Sequence, residues 1–247
     1  MYSRLRMPSA AFWGLALLLV ISACAKPSTF ATIGTPLAWP DVEPGLGLGC
    51  RAQLSAAVGD IHAKRLEDAD QKLSTVLSCF RAFMTDSESI YVSVANAAEL
   101  DRYRSENRGD REVVWIDWGY REALSRKAFI LSAQREFDKA LELLRLEAKA
   151  APYAAAPYTE RGYVLNGLRK PREALEAYRH GLALAREFES SKAEEPVALR
   201  GIGFTLIELG DLDQAESMFR ESLEIDPGNK LALNELGYIE HLRRSQR

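Results

Sequence analysis

The chain has 247 residues, of which 47% are apolar and 27% charged, with 32 basic against 35 acidic side chains and a formal charge of −3. That is length enough for one or two domains with a substantial core, and the composition is that of an ordinary globular protein. Without the first 23 residues Arg4 and Arg6 are lost and the charge becomes −5. A mildly acidic body lacks the basic face that neutralises phosphates, which excludes nucleic acid as a partner.

In chain order, the first element follows the two arginines. Ala10 to Ile21, AAFWGLALLLVI, is an uncharged apolar run about as long as the core of a secretory signal and too short to span a bilayer comfortably. Cleavage there would either release a soluble protein or leave an anchored one. The residues that follow, Ile21-Ser22-Ala23-Cys24, resemble the bacterial lipobox. The resemblance implies that residues 1–23 are a lipoprotein signal peptide and that Cys24 becomes the first residue of the mature protein. It would carry a thioether-linked diacylglycerol and an acylated amine, a palmitate-type modification. Each buried methylene contributes about 0.8 kcal/mol, so three chains hold far more firmly than a single myristoyl group. Ala25 stands where an aspartate would favour the inner membrane, which implies the outer membrane, with the periplasmic face as the default.

Residues 25–49 contain four prolines and four glycines without a helical period. With Cys24 they read as a semi-extended tether, able to reach on the order of 70 Å when fully extended. Leu37 and Trp39 are the two side chains there that could pack onto a domain.

The rest is helical in pattern, with no sustained alternation of the strand type. Three 34-residue segments align, Arg121–Ala154, Ala155–Phe188 and Pro196–Asn229, and a further first helix starts at Lys230. The third segment has Leu199, Ile202, Gly203 and Leu206 on its first helix, Gly210 and Leu212 at the turn, and Ala215, Phe219, Leu223 and Pro227 after it. This pattern resembles the tetratricopeptide consensus. The first segment places Leu124, Ala128, Leu131, Phe137, Ala140, Leu144 and Pro152 at the same positions, and the second Tyr158, Gly162, Leu165, Ala174, Tyr178 and Leu182. Gly203 and Ala215 are small where two helices cross closely, and Asp211 with Gln214 reads as an N-cap pair. The second segment departs from consensus at Pro171 and lacks the closing proline; seven extra residues, Glu189 to Glu195, follow it. Seven residues are about two helical turns, so a lengthened second helix is expected.

Upstream, residues 50–80 read as a degenerate repeat with Leu66, Ala69, Leu73 and Leu77 on its second helix. Ser89 to Asn107 reads as a helix, Arg108-Gly109-Asp110 as a turn, and Arg111 to Tyr120 as the lead into the next helix. The expected architecture is all-α: residues 50–120 hold a degenerate helical repeat and a helical insertion, and residues 121–247 a tetratricopeptide α-solenoid of antiparallel helix pairs. A C-terminal capping helix covers the last face.

Catalysis has little to build on. His62, His180 and His241 are isolated, no His/Cys cluster has metal-ligand spacing, and neither a phosphate loop nor a serine elbow is present. The carboxylates are scattered and read as solvated outer faces, so neither a catalytic residue, a metal nor a cofactor is expected. Cys50 and Cys79 lie at the same open end of a helical hairpin, and an envelope compartment is oxidising. A Cys50–Cys79 disulfide is expected, with two unpaired buried thiols as the alternative.

On the first helices the residue after the small one is Phe129, Tyr163, Phe204 and Tyr238 in turn. In tetratricopeptide folds this position points into the concave groove. The flanking groove positions are Ser125 and Ser132, Thr159 and Asn166, Arg200, Asn234 and His241, mostly polar. Rigid aromatics among polar neighbours suit a peptide-binding surface, although rings here can also fill space between helices; the two tyrosines are expected nearer to solvent than the phenylalanines. The resemblance is to tetratricopeptide lipoproteins of Gram-negative envelopes. It implies an adaptor or scaffold that holds an envelope protein or peptide in the groove, with a pilotin-like assembly factor as the alternative.

Overall fold

The computed structural model describes residues 43–245. The signal segment, Cys24 and most of the tether lie outside the described residues. After a short 3₁₀ turn at Leu48–Gln53 come α1 (Leu54–His62), α2 (Leu66–Arg81), β1 (Ile90–Val92), α3 (Ala97–Glu106) and β2 (Val113–Trp115). Then follow α4 (Gly119–Ala133), α5 (Phe137–Ala150), α6 (Ala156–Gly167), α7 (Pro171–Glu187), a 3₁₀ turn at Glu189–Glu194, α8 (Glu195–Leu209), α9 (Leu212–Ile225) and α10 (Lys230–Ser245). The helices form antiparallel hairpins α1/α2, α4/α5, α6/α7 and α8/α9, each packed on the next, with α10 last. The fold is all-α in the main, a solenoid of helix pairs.

One turn builds all four hairpins. Lys64, Arg135 and Arg169 have φ near +60°, and Gly210 has φ +83°. In each case that residue's N–H donates to the carbonyl three residues back, and the next N–H to the carbonyl five back, as in Arg135 to Ser132 and Glu136 to Leu131. This is the Schellman closure of a helix C-terminus. The left-handed conformation costs an L-residue on the order of 1 kcal/mol, so tight closure of the hairpin must outweigh it at the three non-glycine positions. The same turn at Lys64 places α1/α2 in register with the later hairpins. Asp211 Oδ1 accepts from Gln214 N at 3.1 Å, the N-cap expected at the start of α9.

Small residues sit where the hairpins are tightest. A Cβ on Gly203 would lie 2.8 Å from the Phe219 ring, and one on Gly162 2.6 Å from Tyr178. Ala140, Ala174 and Ala215 are fully buried opposite. Phe219, Leu144 and Leu165 fill the spaces alongside them.

Residues 84–118 differ from the expected all-helical insertion. Ile90–Val92 and Val113–Trp115 are parallel strands paired Ile90 to Val113 through Val92 to Trp115, and Leu46 bridges to Ile116. Only Ala97–Glu106 of the expected helix is helical; Asn96 caps it, accepting from Glu99 N at 2.9 Å. β-branched and aromatic side chains at these two sites favour the extended form, and pairing satisfies their backbone. The insertion is tied to the solenoid by Ser93 N donating to Ala150 O at 2.6 Å. A small apolar cluster of Val92, Val94, Leu100, Tyr153 and Phe188 completes the joint.

The same cluster explains a second departure. The seven extra residues do not continue α7 as a lengthened helix. Although α7 has 17 residues against 14 in α5 and α9, Phe188 turns extended (φ −113°, ψ 122°) and residues 189–194 form a 3₁₀ turn. Phe188 stacks on Tyr153 with centroids 4.4 Å apart, and the Arg102 guanidinium lies over the ring at 4.6 Å. Burying that ring against the insertion contributes more than two further helical turns in solvent would. Ser191 then locks the turn, its Oγ donating to Tyr153 O at 2.9 Å and accepting from Ala155 N at 3.1 Å.

At the other end, Cys50 and Cys79 form a disulfide with Cα atoms 5.7 Å apart. Beside it Asp117, fully buried, accepts from Arg51 Nε at 2.6 Å and Nη2 at 2.7 Å, and from Gly119 N at 2.9 Å. Gly45 passes so close that a Cβ there would stand 2.7 Å from the Asp117 backbone nitrogen.

Candidate functional site

Successive first helices α4, α6, α8 and α10 lie side by side. Their spacing is closer than that of the second helices, so they line the inner, concave face of the stack. Along this face the structure distinguishes two kinds of aromatic. Tyr163 and Tyr238 are 37% and 39% exposed, whereas Phe129 and Phe204 are half-buried. Phe129 packs against the N-terminal core. Phe204 meets Phe219 edge-on at 5.4 Å, so it is a spacer within the α8/α9 hairpin.

The polar flanking positions divide in the same way. Asn234 and His241 are exposed beside Tyr238. Asn166 Nδ2 donates to Thr205 Oγ1 at 2.9 Å, bridging α6 to α8, and its Oδ1 is buried without a partner. Ser132 is buried and returns its hydroxyl to Ala128 O. Arg200 departs from its expected groove role: it is buried, its Nη1 donates to Ser222 Oγ at 3.1 Å, and Asp226 lies 3.6 Å away. Burial lowers its pKa, opposed by Asp226 and Glu194. Its charge lies within the α8/α9 joint.

A feature that sequence reasoning missed lies beneath this face. Carboxylates expected on solvated outer faces are instead drawn inward. Glu122 is buried and pairs with Arg126. Glu194 lies 2.9 Å from the Thr159 hydroxyl. Glu147 is 1% exposed, with no hydrogen-bond partner for either carboxylate oxygen. Burial pushes the Glu147 carboxyl up to about 8; Arg121 pulls it down, and Glu122, Glu160 and Glu194 add to the rise. Burial likewise raises Glu194, against the Thr159 hydrogen bond and the charges of Arg121, Arg200 and Arg126. Glu147 is therefore largely protonated at neutral pH. One signal could have found it: in register with the other repeats it occupies the place of Gly181 and Ser222, both small.

Glu147 makes stability depend on pH. Its folded pKa is above the unfolded value near 4.5, so the folded state binds the extra proton between the two values. Stability from this source is present at low pH and lost as pH rises toward 8. Wild-type protein is expected to lose about 3 kcal/mol from this group between pH 5.5 and 8.5. In Glu147→Gln the loss should be smaller by that amount. Urea unfolding of both proteins across this range measures the difference; parallel pH profiles would refute it.

Among the described residues, no group of three or more His, Cys, Asp or Glu could hold a metal ion. No helix there is long and apolar enough to cross a membrane.

With this geometry in place, comparison with known proteins agrees on the architecture. Residues 153–227 match the tetratricopeptide repeat family model, and the fold is an all-α tetratricopeptide solenoid. No curated protein matches the chain. Among solved structures it is similar to the MamA protein, at 14% identity over 79% of this chain and 83% of that one, with a TM-score of 0.49. It is also similar to YrrB, described as a tetratricopeptide protein with an unusual peptide-binding site, at 17% identity, 78% and 76% coverage and a TM-score of 0.46. The first tetratricopeptide domain of Spaghetti (RPAP3), solved with an HSP90 peptide, is 24% identical over 50% of this chain and 93% of that one, with a TM-score of 0.45.

Proposed function

We propose that the protein is an interaction scaffold whose inner face holds a peptide or helix of an envelope protein, and that lipid on Cys24 keeps it at the outer membrane. The observation that carries the reading is the pair Tyr163 and Tyr238, exposed on that face where the same position in α4 and α8 is half-buried. A rigid ring with a polar tip buries much area at low entropy cost, which is why tyrosine concentrates at interfaces. Asn234 and His241 beside Tyr238 supply hydrogen-bonding groups that retain their water until a partner arrives. The anchor rests on the sequence of residues 1–24.

A photoreactive phenylalanine analogue at 163 or 238 should crosslink a defined partner in intact envelopes, and one at Lys139, on the outward side of α5, should not. Tyr163→Ala and Tyr238→Ala are each expected to weaken that partner's binding about tenfold or more, with helix content unchanged. Identical crosslinks from all three positions would sink the groove reading. Phe204→Ala is a poor probe, because loss of its contact with Phe219 destabilises the hairpin. For the anchor, Cys24→Ser should move the protein from the membrane to the soluble fraction.

A further inference from the structure

The exposed rings of the inner face do not stand alone. Tyr163 and Tyr238 each follow a glutamate by three residues, Glu160 on α6 and Glu235 on α10, and residues three apart share one side of a helix. At the matching positions α4 has Arg126 before Phe129, and α8 has Gly201 before Phe204. A carboxylate thus accompanies the ring where the ring is exposed, and none does where it is half-buried. The arginines along this face are engaged: Arg126 pairs with Glu122, and Arg200 is held at Ser222 and Asp226. Glu235 is half-buried and has neither hydrogen bond nor ion pair with a described residue; burial alone pushes its carboxyl up to about 7. The α6 pair lies inside the stack, between α4 and α8. Beneath it Glu147, 1% exposed and with both carboxylate oxygens unpartnered, shares its surroundings with Glu122, Glu160 and Glu194. Arg121 acts against this crowding, but its buried Nε makes no hydrogen bond.

We propose that the segment held on the inner face is basic, with one lysine or arginine side chain seated between Glu160 and Tyr163 and a second between Glu235 and Tyr238. The inference rests on the groove reading above and gives its partner a chemistry. A cation over a tyrosine ring is attracted by the ring's face, and the carboxylate one turn back supplies the counter-charge. Neighbouring helices pack about 8–10 Å apart, so α6 and α10, with α8 between them, set the two pairs about 16–20 Å apart. An extended segment rises about 3.3 Å per residue, which puts its two basic residues roughly five or six positions apart. An acidic segment would meet like charge at both pairs.

The probe is a fluorescent nine-residue peptide of alanine and serine with arginine second and eighth. Anisotropy with the purified protein should show saturable binding that weakens as salt rises from about 0.05 to 0.5 M. Citrulline keeps the shape of arginine without its charge. With citrulline at both places the peptide should bind at least about tenfold more weakly, and with glutamate it should not bind. Glu160→Gln and Glu235→Gln should each weaken the arginine peptide about fivefold, the upper range for a solvent-facing ion pair, and leave the citrulline peptide unchanged. Glu235→Gln should melt no lower than wild type, since it removes a half-buried charge without a partner. Equal affinity for the arginine and citrulline peptides, or no binding up to about 1 mM, would overturn the proposal. So would an envelope partner whose crosslinks from positions 163 and 238 are unchanged when both glutamates are replaced; the groove reading would then stand and its basic partner fall.

Discussion

Asp117→Ala is expected to cost about 3 to 5 kcal/mol of folding free energy, because it removes a fully buried carboxylate together with its bidentate pairing to Arg51 and its hydrogen bonds from backbone N–H groups. Asp117 is fully buried, and its carboxylate receives two hydrogen bonds from Arg51, one from Gly119 N and one from Gly45 N. Ser93 Oγ donates to its backbone carbonyl at 3.2 Å. One residue thus joins the segment before α1, the insertion and the first turn of α4. The Arg51 guanidinium, 15% exposed, would lose its bidentate bond to this carboxylate. Asp117→Asn retains the shape and one acceptor, so it should cost less. Chemical denaturation of both variants is the measurement, and an alanine variant within about 1 kcal/mol of wild type would contradict the assignment. That threshold lies well below the usual cost of breaking a buried pair.

Reduction of the Cys50–Cys79 disulfide is the second large effect. The bond closes a loop with a sequence separation of 29 residues, for which the chain-entropy relation gives about 3 to 4 kcal/mol. The stabilisation comes mainly from restricting the unfolded chain, so the native helices should keep their circular dichroism on reduction while the urea midpoint falls. Cys50→Ala/Cys79→Ala should reproduce the reduced midpoint and be insensitive to dithiothreitol. Coincident midpoints for oxidised and reduced wild type would show that the link contributes nothing. The expected loss is a large fraction of the total for an ordinary domain, so the reduced N-terminal hairpin is where unfolding should begin.

The repeat was legible in the sequence because its period is geometric: small residues recur where helices cross, and the turn residues Arg135 and Arg169 stand 34 positions apart. Gly210 follows Arg169 by 41, the extra seven being the insertion. Of the four rings that follow the small residue, Tyr163 and Tyr238 are exposed and Phe129 and Phe204 half-buried, the order expected from their polarity. What could not be read depends on contacts between distant segments. Ile90–Val92 and Val113–Trp115 are three residues each, too short to display alternation, and they are strands only because they pair. Phe188 breaks α7 because Tyr153 and Arg102 lie beside it, which no window of local sequence contains. Charge alone does not reveal burial, so in the sequence Glu147 reads as a surface residue and Arg200 as a groove residue. For Glu147 the small residues at the matching repeat positions were the available clue.

The clustering of the disulfide and the Asp117 clamp around residues 45–51 has a mechanical meaning. Tension on the chain before residue 43 reaches the fold there, and it meets a covalent link to α2 and a salt bridge to the start of α4 before it can peel α1 from its neighbours. Load is shared by two hairpins at once, a shear geometry rather than an unzipping one. Oxidised protein pulled from its N-terminus should therefore extend only after its central repeats yield, whereas reduced protein should give way first at α1.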